Sequence, residues 1–237
     1  MFPIAILCGG KGTRVASIAG DLPKALLPVD GYPFLGHQLH WLRDAGASDI
    51  VLLVGYRGDR IRAFVGDGNE FGLRVRYADD GAAPRGTGGA LKDALPLLGE
   101  RFLTVYGDAL SLADPSAVAA ALTEPFEGVM TVFRNDDRWQ ASNVRVAGDR
   151  VAAYDKHAPP GSMTHIDYGF NAFRARAFDM IPDGGPADLA DVHRAMIERG
   201  SLRALPVTER WHEVGTPEGL AETEAWIRGR RSTTGPS

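Results

Sequence analysis

The chain reads as an α/β protein, a single domain with a doubly wound, mostly parallel sheet and a smaller antiparallel subregion. Short apolar runs alternate with amphipathic helical stretches over the first 125 residues, and closely spaced β-prone runs follow from residue 129. No Pro-, Gly- or Ser-rich linker separates the two stretches, so one domain over 1–228 is expected, with a first part of about 1–125 and a second of about 126–228. The polar end, 229–237, is expected to fray.

Ile4–Leu7 is a short apolar strand closed by Gly9 and Gly10, and the segment through Pro33 is rich in glycine and proline, as a long loop would be. Phe34, Leu35, Leu39, Leu42 and Ala45 recur at helical spacing until Gly46 stops them. Ile50–Val54 is continuously apolar, the mark of a strand buried on both faces of a parallel sheet. Gly58–Val65 reads as a helix, Leu73–Tyr77 as a strand, Thr87–Leu98 as a helix and Phe102–Tyr106 as a strand. In such a sheet ligands sit beyond the carboxyl ends of the strands, so the loops after Leu7, Tyr77 and Tyr106 should converge. Val129–Phe133, Asn143–Val146, Arg150–Lys156 and Ile166–Phe173 then read as antiparallel strands, with a turn at Gly148-Asp149. Helices return at Asp188–Arg199 and Pro217–Arg228, with short strands at Leu202–Pro206 and near Arg210–Val214.

Composition excludes several classes of protein. Among 237 residues, 26 Lys plus Arg face 30 Asp plus Glu, a formal net charge of −4. That balance lacks the basic excess of a nucleic-acid binder, so any phosphate would be met locally by a few cations. The lone cysteine, Cys8, cannot form an intramolecular disulfide, which fits a reducing compartment and leads us to expect a cytoplasmic protein. The apolar stretches are far shorter than the roughly 20 residues of a membrane span, and the N-terminus lacks the pattern of a signal peptide.

The loop after the first strand reads Cys8-Gly-Gly-Lys-Gly-Thr-Arg14, followed by Leu22-Pro-Lys24. A dinucleotide fingerprint fails because Val15 stands at its third glycine, and no Gly-Lys-Ser/Thr closes a Walker loop. A Gly-rich turn remains, whose bare amides can approach a phosphate while Arg14 and Lys24 supply charge. Composition alone leaves a surface loop with solvated cations equally open.

The Gly-Gly-x-Gly-Thr-Arg order followed by Pro23-Lys24 resembles the sugar-1-phosphate nucleotidyltransferases, and the resemblance extends over nearly the whole chain. Pro84-Arg-Gly-Thr-Gly-Gly-Ala90 is similar to that family's base-contacting loop, and Val105-Tyr-Gly-Asp108 to its strand-end aspartate motif. Tyr154-Asp-Lys156 is similar to its acidic-Lys pair, and Trp211-His-Glu-Val-Gly-Thr216 to its acidic-x-Gly-Thr motif. The compact length looks most like the short branch containing heptose-1-phosphate guanylyltransferases and N-acetylmuramate-1-phosphate uridylyltransferases.

The resemblance implies a Rossmann-like, GT-A-like nucleotidyltransferase fold, with a nucleotide-binding first part and a sugar-binding second part. It implies attack by a sugar 1-phosphate oxygen on the α-phosphorus of a nucleoside triphosphate, GTP being favoured here, with release of pyrophosphate. Arg14, Lys24 and Asp108 would be catalytic. Cys8, Gly9, Gly10, Gly12, Thr13, Arg85, Gly86 and Thr87 would line the nucleotide site. Asn143, Asp155, Lys156, Asp167 and Gly169 would hold the sugar phosphate, and Asp108 and Glu213 would ligate Mg²⁺, a hard ion suited to carboxylate and phosphate oxygens.

The sequence departs from the family's commonest pattern at four places. Glu213 and Asp155 stand where Asp and Glu are usual, and Trp139-Gln-Ala-Ser-Asn143 and His165-Ile-Asp-Tyr-Gly169 replace the common turns, both suiting a polyol acceptor. For Trp139, packing over the core is an equal alternative. His157, His165 and His212 lack metal-ligand spacing, and Cys8 reads as a buried thiol. Nucleic-acid and membrane partners are not expected, whereas a homodimer through the antiparallel region is open. A uridylyl- or cytidylyltransferase is an alternative, as is a non-catalytic sensor of nucleotide sugars with the same fold.

Overall fold

The computed structural model describes residues 1–10, 20–79 and 85–233, for 231–233 the backbone alone. Its first half is a parallel layer in the order β5–β4–β1–β6, formed by β1 (Ile4–Leu7), β4 (Asp49–Val54), β5 (Arg74–Asp79) and β6 (Arg101–Tyr106). Ile4 pairs with Ile50 on one side and Leu103 on the other, and Leu7 with Leu53 and Tyr106. Successive strands run outward on one side of β1 and then jump to the other, so the topological switch point lies between β1 and β6, where a doubly wound sheet opens its crevice.

Apolar residues alternate between the two faces, and helices cover both. Helices α1 (Phe34–Asp44) and α2 (Gly58–Val65) bury Leu35, Leu39, Leu42, Ile61 and Val65 on one face with Ile4 and Ile6. Helix α3 (Gly86–Leu98) buries Ala90, Leu91, Ala94 and Leu98 on the other with Ala5 and Leu53. The short α4 (Pro115–Ala121) is capped by Asp114, whose carboxylate accepts from the Ser116 N–H.

The second half is a mixed sheet. Strands β8 (Gly128–Arg134) and β12 (Phe170–Arg174) are antiparallel and join it to β6 through β12. From β8 the pairing passes to β13 (Leu202–Val207), β10 (Arg150–Tyr154), β9 (Val144–Ala147) and β11 (His165–Asp167), and β11 returns to β8. Five strands thus close on themselves. Parallel pairing is confined to β5–β4–β1–β6 and to β8–β13, so the sheet as a whole is mixed.

The expected single strand Ile166–Phe173 is two. Gly169, at φ +83°, breaks it, and a Cβ there would lie 2.9 Å from the Tyr106 ring. Helix α5 (Leu189–Glu198) covers the ring of strands with Leu189, Val192, His193 and Met196. Helix α6 (Pro217–Thr233) runs beyond Arg228, so the backbone of 229–233 continues the helix, where fraying was expected. Two small ribbons complete the fold, β2 (Pro28–Val29) with β3 (Tyr32–Pro33), and β7 (Ala109–Leu110) with β14 (His212–Glu213). No helix among the described residues is long and apolar enough to cross a membrane.

Candidate active site

A cleft of about 310 Å³ opens at the switch point between the carboxyl ends of β1 and β6. Leu7–Gly10 form one wall, Tyr106–Asp108 another, and Lys24, Ala25, Gly86, Thr87 and Ala90 complete it. Among the described residues no atom lies within 4 Å of where a Cβ of Gly10 would be, so packing does not demand glycine there. Close approach of a ligand would.

Lys24 begins a single 3-10 turn, Lys24–Leu26, whose Ala25 and Leu26 are buried. That anchor aims its ammonium at Asp108, 2.6 Å from Oδ2, with the lysine side chain only 12% exposed. The turn carrying Asp108 is held from behind by Gln38 on α1, whose Nε2 donates to the Tyr106 and Ala109 carbonyls at 2.9 and 2.7 Å. Gln38 is buried on an otherwise apolar helix face beside Leu35, Leu39 and Leu42. A polar side chain in that stripe was the signal, and sequence reading passed over it.

Glu213 reaches the same place through the β7–β14 ribbon, where it pairs with Ala109, and the Val214 N–H donates to the Asp108 carbonyl at 3.0 Å. Its carboxylate folds back on the following turn: Oε2 accepts from the Gly215 N–H at 3.1 Å and Oε1 from the Thr216 hydroxyl at 3.0 Å. A Cβ at Gly215 would stand 3.0 Å from Lys24 Nζ, so the turn borders the lysine. Asp108, in the turn before β7, and Glu213, on β14, thereby stand on adjoining backbone segments. Among the described residues no cluster of three or more His, Cys, Asp and Glu side chains exists to bind a metal. Two carboxylates with phosphate oxygens and waters are what Mg²⁺ accepts, so the donor set fits that ion.

Cys8 lines the cleft wall, 5% exposed. Burial pushes its thiol well above the ordinary value, and the Asp108 carboxylate adds to the shift, so it is a neutral packing group. Tyr106 is likewise pushed far up by burial, then by Asp167. It therefore stays a neutral phenol between the cleft and the second half.

On that second half, Asn143, Asp167 and Gly169 form one network. The Asn143 side-chain oxygen accepts from the Asp167 N–H at 2.9 Å, and Asp167 Oδ1 accepts from the Gly169 N–H at 3.0 Å. Asp155 closes a turn by accepting from the His157 N–H. Lys156 donates to both carboxylate oxygens of Asp188, at 2.8 and 3.0 Å.

Several expected residues stand elsewhere. Arg85 does not line the cleft. Its guanidinium lies 3.8 Å from Asp93, with one nitrogen buried beside Gly184. Contact with a base would therefore fall to neighbours such as Gly86 and Thr87, which do line it. The Gly88 and Gly89 amides donate to the Ala187 carbonyl, so they are spoken for by the protein itself. Trp139 packs on Phe133 and Trp211, which face away from α3 and α5, with Arg210 over its ring, and it stays 44% exposed. Gly12, Thr13 and Arg14 lie outside the described residues.

Residues 4–157 match the model of the MobA-like NTP transferase domain. The chain belongs to that family. It is 31% identical over 224 residues, 93% of this chain and 96% of the relative, to N-acetylmuramate alpha-1-phosphate uridylyltransferase of Neisseria meningitidis. Over a shorter stretch of 104 residues, 44% of this chain and 46% of the relative, it is 36% identical to D-glycero-alpha-D-manno-heptose 1-phosphate guanylyltransferase of Campylobacter jejuni. Its fold superposes on the crystal structure of HddC from Yersinia pseudotuberculosis with a TM-score of 0.81 at 22% identity, covering 96% of this chain and all of that one. As an NTP transferase, the protein must bring a triphosphate and an acceptor to one place, and the Lys24–Asp108 pair stands at the crevice where its sheet opens.

Proposed function

We propose that the protein transfers a nucleotidyl group from a nucleoside triphosphate to a sugar 1-phosphate, releasing pyrophosphate. The observation that carries this reading is the Lys24–Asp108 pair between β1 and β6, facing a cleft of about 310 Å³ lined in part by Gly9, Gly10, Gly86 and Gly107. In the step, a phosphate oxygen of the sugar 1-phosphate forms a bond to the α-phosphorus while the bond to the β-bridging oxygen breaks, and that electron pair leaves with pyrophosphate. Such a transfer needs positioning and charge neutralisation more than covalent help. Lys24 neutralises charge on the α-phosphate and the attacking phosphate. Lys156 holds the acceptor's phosphate, and Asn143, Asp155, Asp167 and Gly169 its sugar. Arg14 meets the leaving group's charge, and Gly9, Gly10, Gly12 and Thr13 the triphosphate. Asp108 and Glu213 would hold Mg²⁺, which supplies charge neutralisation and orients the phosphates.

GTP is the favoured donor, with support from the likeness to the heptose 1-phosphate guanylyltransferase, 36% over 104 residues. UTP is the second reading, favoured by the Neisseria relative over 93% of the chain. Pyrophosphate release should be followed with each NTP, Mg²⁺ and a panel of mannose, glucose, N-acetylmuramate and heptose 1-phosphates. Release is expected with at least one sugar 1-phosphate and fastest with GTP. Fastest release with UTP selects the second reading, and no release with any pair removes the enzyme reading in favour of a ligand-binding sensor.

A further inference from the structure

Three consecutive residues, Ala187, Asp188 and Leu189, touch both halves of the candidate site. The Ala187 carbonyl accepts from the Gly88 and Gly89 amides at 2.9 and 3.1 Å, and its own N–H donates to the Arg85 carbonyl. The Leu189 N–H donates to Thr87 Oγ1 at 2.9 Å, on the cleft wall. Between them, the Asp188 carboxylate receives the Lys156 ammonium on both oxygens. A Cβ at Gly86 would overlap the Ala187 carbonyl oxygen, so only glycine lets the segment seat this closely.

Asp188 also caps α5, accepting from the Ala190 N–H in a capping box with Asp191. Capping does not require its charge, since Asn or Ser serves as well. What a carboxylate adds is a fixed partner for Lys156, a long side chain, 42% exposed, that would otherwise spread over many rotamers in water. We propose that Asp188 is a positioning residue that pins Lys156 against the nucleotide wall, so that the acceptor's phosphate meets a cation already set at a fixed distance from the cleft. The inference rests on the reading of Lys156 as the acceptor-phosphate cation.

Two measurements on the full chain test it. The first needs no turnover: amine acetylation with sulfo-NHS-acetate, read by peptide mass spectrometry, should speed up severalfold at Lys156 in Asp188→Asn and stay unchanged at Lys24. Equal labelling of Lys156 in both proteins overturns the pairing. The second uses the NTP and sugar 1-phosphate that turn over fastest in the panel. Asp188→Asn should raise the acceptor KM roughly three- to tenfold with the NTP KM unchanged, and add nothing in a Lys156→Ala background. Asp188→Glu should recover part of the loss. Thermal unfolding of Asp188→Asn should match the parent, because Asn keeps the cap. A change in both KM values, or an undiminished effect in Lys156→Ala, overturns the proposal while leaving the nucleotidyl-transfer reading intact. If Lys156→Ala itself leaves the acceptor KM unchanged, the role of Lys156 falls, and that of Asp188 with it.

Discussion

Two lysine–aspartate pairs stand at opposite sides of the candidate site, and they differ in their contact with water. Lys24–Asp108 has side chains 12% and 36% exposed, whereas Lys156–Asp188 has 42% and 51%. The first belongs to the parallel layer, seated by Ala25 and Leu26 in the core and by Gln38 behind the aspartate turn. The second joins the end of β10 to the start of α5 across the protein surface. A half-buried pair loses less to solvent screening and, once one partner is removed, leaves a charge without compensation. An exposed pair is worth little as a bond and more as a guide. The pair in the parallel layer thus sits in a fixed, half-buried frame, and the pair at β10 and α5 is held at the surface.

Breaking the fixed frame should have the largest effect. Lys24→Ala should lower kcat/KM on the order of 10²–10³-fold by loss of charge neutralisation, measured by pyrophosphate release. A loss no greater than that of Lys156→Ala would erase the contrast between the two pairs.

Acid should act through buried and half-buried histidines. His193, buried on α5 against Phe173 and Tyr154, is pushed down to about 4, first by burial and then by Lys156 and Arg194 against the opposing pull of Asp167 and Asp188. Its folded pKa lies below the ordinary 6.5, so the unfolded chain binds the extra proton and stability is complete above 6.5. It falls as pH drops toward 4, by roughly 3 kcal/mol in all. Urea unfolding across that range should show the slope, and His193→Leu should reduce it, leaving the part set by His212, which burial also pushes down to about 4.

A smaller effect is expected at the seam between the halves. Gly86→Ala, forced to φ +70° against the Ala187 carbonyl, should destabilise the fold by roughly 1–3 kcal/mol in urea unfolding. The smallest concerns Glu213, whose carboxylate rests on Gly215 and Thr216. Glu213→Asp should leave stability nearly unchanged and shift the Mg²⁺ concentration for half-maximal rate by a fewfold. An unchanged metal dependence would make Glu213 a brace for its turn.

What the sequence made legible is what short-range patterning encodes. The apolar runs of β1, β4 and β6 and the helical stripe of α1 were readable, and with them the convergence of Gly9, Gly10, Lys24 and Asp108 at one sheet edge. Contacts between distant segments were not. The Leu189 N–H meets Thr87 across 102 residues, so Gly86-Thr-Gly-Gly read as a ligand loop although two of its amides bind Ala187. The same segment brings Gly184 against Arg85, and nothing local to Trp139 disclosed which sheet face it would occupy. Asp188 was readable only as the start of a helix, and its partner Lys156 lay out of view 32 residues away.

The ring formed by β8, β13, β10, β9 and β11 bears on solubility. A strand with an open row of amides and carbonyls invites another chain to pair with it, and a ring offers no such row. Among the described strands the large sheet therefore exposes a terminal strand only at β5, where Arg74 is exposed and Arg76 is paired with Asp49. Cations on an edge repel a second copy of themselves, so the end of the sheet that stays open is also the end least suited to self-association.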